Sequence, residues 1–179
     1  MIRSIVITIV FSVMLNGKDY EPSWNSLDSR PTPQWFKDAK FGIFIHWGLY
    51  SVPAWGPKDA YAEWYLNGLN SGDTARLRYH EENYGKDFPY RGFIDLFKAN
   101  DYDPDQWASL FKRSGARYVV LTSKHHDGFC LWPSKESKGY NSVSGAAGRD
   151  LLGDLNRSVK KVGLRSGLYY SLYEWDHPD

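Results

Sequence analysis

Three apolar runs rich in β-forming residues punctuate the chain: Phe41–Trp47, Arg117–Ser123 and Leu168–Leu172. Each is apolar on both faces, the pattern of a strand buried inside a parallel sheet rather than one half-exposed to water. Between them the period changes. Asp103-Pro104-Asp105-Gln106 predicts a helix start, with Asp103 as N-cap, Pro104 in the first turn and Gln106 completing a capping box. Trp107, Leu110 and Phe111 follow at helical spacing and Gly115 ends the element. A second helix is expected over 150–162, with Leu151, Leu155, Val159 and Val162 on one stripe and Gly163 as its stop. Strand, helix, strand, helix, strand predicts right-handed βαβ units and a parallel sheet.

The stretch between Gly48 and Asp103 reads as an insertion after the first strand, with its own helix around 59–68. Such decorated loops are usual on the top face of a (β/α)8 barrel. The expected fold is therefore α/β, a partial TIM-like (β/α)8 barrel covering about its first three βα units. A doubly wound sheet fits the same pattern, but no G-x-G-x-x-G or Walker loop follows any strand, so its phosphate-binding version lacks support. Residues 18–33 form a polar, turn-rich lead, and Trp35-Phe36 opens the first packed segment.

The first residues change the picture of the chain's destination. Arg3 supplies a positive start and Ile5–Leu15 an apolar run too short for a bilayer, which needs about 20 residues. Residues 1–17 are read as a signal peptide, with a buried N-terminal strand as the alternative, and 18–179 as the N-terminal part of the barrel. That places the protein in the secretory pathway, lysosomal or extracellular, with no membrane insertion after signal removal. Asn156-Arg157-Ser158 offers one acceptor for N-glycosylation at Asn156. The 22 basic and 21 acidic residues leave no field that would favour nucleic acid. The lone cysteine, Cys130, forms no disulfide framework within these residues.

Candidate chemistry sits at the ends of the three strands. Active sites of parallel α/β folds collect at the carboxyl ends of their strands. Here those ends carry His46-Trp47, His125-His126-Asp127, and Tyr169-Tyr170 with Glu174-Trp175, so three of the five histidines share one rim. Against this stands a bland reading in which His46 is a core imidazole satisfied by backbone. A metal on His125 and His126 is disfavoured, because neighbours on a strand point to opposite faces and no zinc spacing accompanies them. No cofactor is expected. Neutral imidazoles that hydrogen-bond hydroxyls are the better functional reading. In the insertion, Glu63 beside Trp64 suits a polyhydroxylated ring, acid to hydroxyls and indole to the C–H face. The aromatic excess (8 Trp, 13 Tyr, 9 Phe) fits sugar stacking as well as a core.

At these residues the sequence resembles glycoside hydrolase family 29, the α-L-fucosidases. The resemblance rests on Trp35-Phe36, Lys40-Phe41-Gly42-Ile43-Phe44-Ile45-His46-Trp47-Gly48, Tyr50-Ser51-Val52-Pro53-Ala54, Glu63-Trp64-Tyr65, Phe93 and 105–108. It continues through Lys124-His125-His126-Asp127-Gly128-Phe129, Leu131-Trp132-Pro133-Ser134, Arg149-Asp150, Gly167-Leu168-Tyr169-Tyr170-Ser171 and Glu174-Trp175. It implies a catalytic barrel that removes terminal α-L-fucose with retention. His46, Glu63, Trp64, His125, His126 and one tyrosine of the third strand match sugar-contacting positions. Strand alternation lets only one of Tyr169 and Tyr170 face inward, and Tyr169 is favoured.

Retention needs two carboxyl groups roughly 5 Å apart. By the resemblance, the nucleophile and the acid/base both lie beyond Asp179, and Glu174 and Asp176 match neither. Residues 1–179 are therefore expected to carry sugar contacts without turnover, as the front part of a longer enzyme whose substrates are fucosylated glycans or glycoproteins. The resemblance leaves a homo-oligomer open for the full-length protein. The competing readings are a truncated, non-catalytic sugar-binding homologue and a different barrel enzyme using a metal on the histidines.

Overall fold

In the computed structural model, which describes residues 19–176, the three apolar runs form one parallel sheet of order β1-β2-β3. The signal-peptide reading falls on 1–17, outside the described residues. The strands are β1 (Gly42–Ile45), β2 (Tyr118–Lys124) and β3 (Arg165–Tyr170). β1 is shorter than its apolar run, so His46 and Trp47 lie just past it. β3 starts three residues earlier than Leu168 and stops two before Leu172. The polar Arg165-Ser166-Gly167 pairs with 118–120 of β2 because backbone ladders do not require apolar side chains.

The helices are α1 (Trp24–Asp28), α2 (Gln34–Ala39), α3 (Tyr65–Ser71), α4 (Thr74–Tyr84), α5 (Pro104–Arg113) and α6 (Leu151–Lys161). Two compact units are present, 19–37 and 38–176. In the first, Ser23 caps α1, a short helix within the lead that turn-rich composition had masked. The second holds the sheet and the candidate site.

Local chemistry accounts for the two crossover helices. Asp103 accepts from the amides of Asp105 and Gln106, both at 3.0 Å, and Pro104 needs no amide partner in the first turn. Asp150 caps α6 through Gly153 N at 2.8 Å. In α5 the packed stripe centres on Ala108 and Phe111, while Leu110 points away and is 53% exposed. The two helices pack side by side, and α6 covers β2 and β3. Val119, Leu121, Leu151, Leu155 and Val159 form this buried layer.

The insertion after β1 holds more structure than expected. One short 3-10 helix, 49–51, follows the strand; 62–64 leads into α3; 90–95 precedes α5. α4 went unseen in the sequence because it has almost no apolar stripe. It is fastened instead by buried polar groups: Arg76 pairs with Asp73 at 2.7 Å and donates to Tyr61 O, and His80 lies 3.1 Å from the Tyr65 hydroxyl. Tyr65, Tyr84, Phe88 and Phe93 pack around it, so much of the aromatic excess fills this core.

The sheet is covered on one face by α5 and α6. Its other face carries Phe44, Val120 and Tyr169; Phe44 is 51% exposed and meets Tyr169 edge-on at 5.6 Å.

Candidate active site

The site is built where the three parallel strands end. Thr122, near the end of β2, ties down the chain leaving β1: its hydroxyl accepts the Trp47 amide at 3.1 Å and lies 3.3 Å from the Tyr50 hydroxyl. That latch leaves His46 at the strand mouth, its ring 5.0 Å from Phe44 and 6.1 Å from Tyr169. Trp47 turns the other way, onto Phe97, Tyr102 and Trp107.

A bulge sets the next two residues. Thr122 pairs with Tyr169 but Lys124 pairs with Tyr170, so two steps along β2 meet one step along β3. Lys124 thereby moves to the Tyr170 side, its ammonium 4.3 Å from that ring's centroid. The chain then turns at His125-His126-Asp127-Gly128, closed by Gly128 N to His125 O at 3.1 Å. Gly128 has φ 77°, a backbone state that suits glycine. Both histidines lie in this turn and not on the strand, so the alternation argument does not hold. Their rings sit 5.0 Å apart in one cluster.

The rings form a contiguous set. His125 is 5.5 Å from His46, 6.2 Å from Tyr169 and 5.2 Å from Tyr50. His126 stacks on Trp175 at 4.7 Å, and Trp175 meets Trp64 at 5.1 Å. Five of the six sequence-chosen residues, His46, Trp64, His125, His126 and Tyr169, are thus linked ring to ring. The sixth, Glu63, is the middle residue of the 3-10 helix 62–64, and its charge is felt at the buried Tyr50 hydroxyl, which burial and the nearby carboxylates hold above the ordinary phenol range. Tyr170 faces away, toward Trp132 at 6.2 Å. Asn156 is elsewhere: it lies within α6 on the side facing β3, with its Oδ1 buried and unpartnered, so a glycan there requires that side chain to turn outward.

The electrostatics favour a neutral ring at His125. Burial, then the neighbouring His126 and His46, pushes His125 down to about 4, so its ring is uncharged near neutrality, and its buried Nδ1 has no partner. His126 Nδ1 lies 2.7 Å from Tyr173 O. A carbonyl only accepts, so Nδ1 carries the hydrogen and donates it, which fixes the ring's orientation at the rim. Asp127, 1% exposed, accepts from the Tyr90 hydroxyl at 2.7 Å and the Phe129 amide at 3.3 Å. Its burial lifts it to about 6, against those hydrogen bonds. Among the described residues no group of three or more His, Cys, Asp or Glu side chains converges as a metal site.

Trp175, Tyr50 and Thr122 belong to this arrangement although none of them was chosen as a sugar contact from the sequence. Trp175 stood at the predicted rim. The Tyr50 and Thr122 contacts join segments 72 residues apart and had no local signal.

The family model described as Alpha-L-fucosidase matches residues 8–179. An alpha-L-fucosidase of Dictyostelium discoideum is 47% identical over 178 residues, covering 95% of this chain and 38% of that protein. A tissue alpha-L-fucosidase of Rattus norvegicus is 50% identical over 159 residues, covering 89% and 34%. Among solved structures, Thermotoga maritima alpha-fucosidase in complex with fucose superposes with TM-score 0.81 at 49% identity, covering 88% of this chain and 38% of that one. The chain thus spans little more than a third of these relatives' lengths. With a family match over nearly all of its own length, the chain belongs to the alpha-L-fucosidase family.

Proposed function

We propose that the ring cluster holds a terminal α-L-fucosyl unit, and that the chain forms the first three βα units of a (β/α)8 barrel that hydrolyses such units with retention. The observation that carries this reading is the gathering of His46, His125, His126 and Tyr169 at the carboxyl ends of three parallel strands. Neutral imidazoles there hydrogen-bond sugar hydroxyls, Glu63 accepts from them, and Trp64 offers a face to the apolar side of the deoxy-sugar. The likeness to a fucosidase crystallised with fucose supports the choice of sugar.

The two carboxyl groups of a retaining reaction are assigned to no residue of this chain. Glu174 is paired with Lys124 and Asp176 with Arg91. The 179-residue polypeptide is therefore expected to bind L-fucose without turning over an aryl fucoside, while residues 1–17 direct it into the secretory pathway. Calorimetric titration with L-fucose tests the binding. His46→Ala and His126→Ala are each expected to weaken it about tenfold, from the loss of one to two hydrogen bonds. Unchanged affinity in both variants would remove the ring cluster from the reading, and turnover near that of a full-length relative would remove the assignment of the carboxylates.

A further inference from the structure

The ring cluster draws its side chains from two parts of the chain. His46, His125, His126 and Tyr169 come from the strand ends and the turn after β2, whereas Glu63 and Trp64 come from the insertion. Trp64 reaches the turn side through Trp175, ring to ring at 5.1 Å. Asn70 and Arg91 also cross from the insertion, to Trp175 O at 3.2 Å and to Asp176 at 2.9 Å, but both bonds lie at the exposed surface, where water competes. At the turn itself the tie is buried. The Tyr90 hydroxyl donates to Asp127 Oδ2 at 2.7 Å, with Tyr90 7% and Asp127 1% exposed. Tyr90 opens the 3-10 helix 90–95 and packs on Phe93 at 5.5 Å and on Tyr65 at 6.5 Å. Tyr65 is the fully buried first residue of α3 and follows Trp64 directly. Asp127 in turn follows His126, and its other oxygen accepts the Phe129 amide at 3.3 Å.

We propose that Asp127 is a positioning residue for the sugar site: through Tyr90 it locks the histidine turn to the insertion that carries Glu63 and Trp64, without touching the sugar. This role rests on the fucose reading of the ring cluster. A carboxyl so far from water has no solvent donor to exchange for Tyr90, and the low-dielectric interior strengthens the bond it makes. The path from one half of the site to the other is short and stiff: a peptide bond from Trp64 to Tyr65, ring packing to Tyr90, one hydrogen bond to Asp127, and a peptide bond to His126. Binding constellations tolerate about 0.5 Å of misplacement, so a turn free to drift from the insertion loses contacts on both sides of the sugar at once.

Tyr90→Phe removes only the hydroxyl, and Asp127→Ala removes the acceptor. Asp127→Asn retains an acceptor for the Phe129 amide and an NH2 that donates to the Tyr90 oxygen. Asp103→Ala serves as a control that loses stability in the α5 cap, away from the tie. In proton–nitrogen NMR spectra of the sugar-free chain, Tyr90→Phe and Asp127→Ala are expected to move the Trp64 and Trp175 indole signals, and Asp127→Asn and Asp103→Ala to leave the Trp64 signal in place. In calorimetric titrations well below the melting temperature, L-fucose affinity is expected to fall about tenfold in Tyr90→Phe, in Asp127→Ala and no further in the two combined, and to stay within about twofold of native in Asp127→Asn and Asp103→Ala. Unmoved indole signals or native affinity in Tyr90→Phe, equal losses in Asp127→Asn and Asp127→Ala, or an equal loss in Asp103→Ala would each overturn the positioning role while leaving the fucose reading standing. A native chain that fails to bind L-fucose would overturn the fucose reading and this role with it.

Discussion

The turn after β2 sets two titrating groups of opposite sense two residues apart, and their effects on stability should oppose each other across mildly acid pH. His125 falls from about 6.5 unfolded to about 4 folded because burial and two neighbouring imidazoles disfavour its cation. The unfolded chain therefore binds the extra proton between these values, and stability is lost as pH falls from 6.5 toward 4. Asp127 behaves the other way. Burial raises it from 3.8 to about 6, with Asp176 adding to the rise and the Tyr90 hydrogen bond opposing it. The folded chain now holds the extra proton, so stability is lost as pH rises from 3.8 toward 6. At about 1.4 kcal/mol per pKa unit, each limb is worth about 3 kcal/mol, and in the native protein they nearly cancel. Urea unfolding of the native chain, Asp127→Asn and His125→Gln at a series of pH values reveals them separately. Subtracting the native curve removes every other titrating group. The Asp127→Asn difference should grow more stabilising by about 3 kcal/mol from pH 4 to 6, and the His125→Gln difference by about the same amount from pH 6.5 down to 4. Difference curves that are flat, or that slope the same way with pH, would refute the electrostatic account of this turn.

Three further outcomes follow from the packing. Asp103→Ala removes the acceptor for two amides of α5 and should lower unfolding free energy by about 1 kcal/mol in a denaturant titration. Gly42→Ala would place a Cβ 2.2 Å from the Tyr118 ring; thermal unfolding should register a loss of about 1–3 kcal/mol, reduced when Tyr118 is shortened to leucine in the same chain. Lys124→Met leaves Glu174 without its partner and should destabilise by about 2 kcal/mol, whereas Lys124→Met with Glu174→Leu should recover most of that loss in the same chemical-denaturation assay.

The strands and crossover helices were legible because their signals are local. Asp103 with Pro104 announces α5, Asp150 announces α6, and apolar runs mark all three strands within a few residues. The insertion was not legible for an equally physical reason. α4 is held by Arg76 and His80 reaching to Tyr61 and Tyr65, contacts that leave no apolar period in the sequence. The site was partly legible. The strand-end histidines could be chosen from their positions, but the bulge at Thr122–Lys124 could not be foreseen. That bulge and the turn after it bring His125 and His126 into one cluster and send Lys124 the other way. Trp175 lay in the predicted rim, yet its place between His126 and Trp64 depends on a fold of the chain after β3 that no periodicity encodes.

β3 has a strand neighbour on one side only among the described residues, and the chain beyond it carries Leu172 at 90% and Tyr173 at 71% exposure. An edge strand beside exposed apolar side chains is a template on which another extended segment can dock. For anyone handling this polypeptide, that makes concentration a variable to control: light scattering should rise with protein loading, and mild chaotropes or a charged tag near the carboxyl end should hold it down.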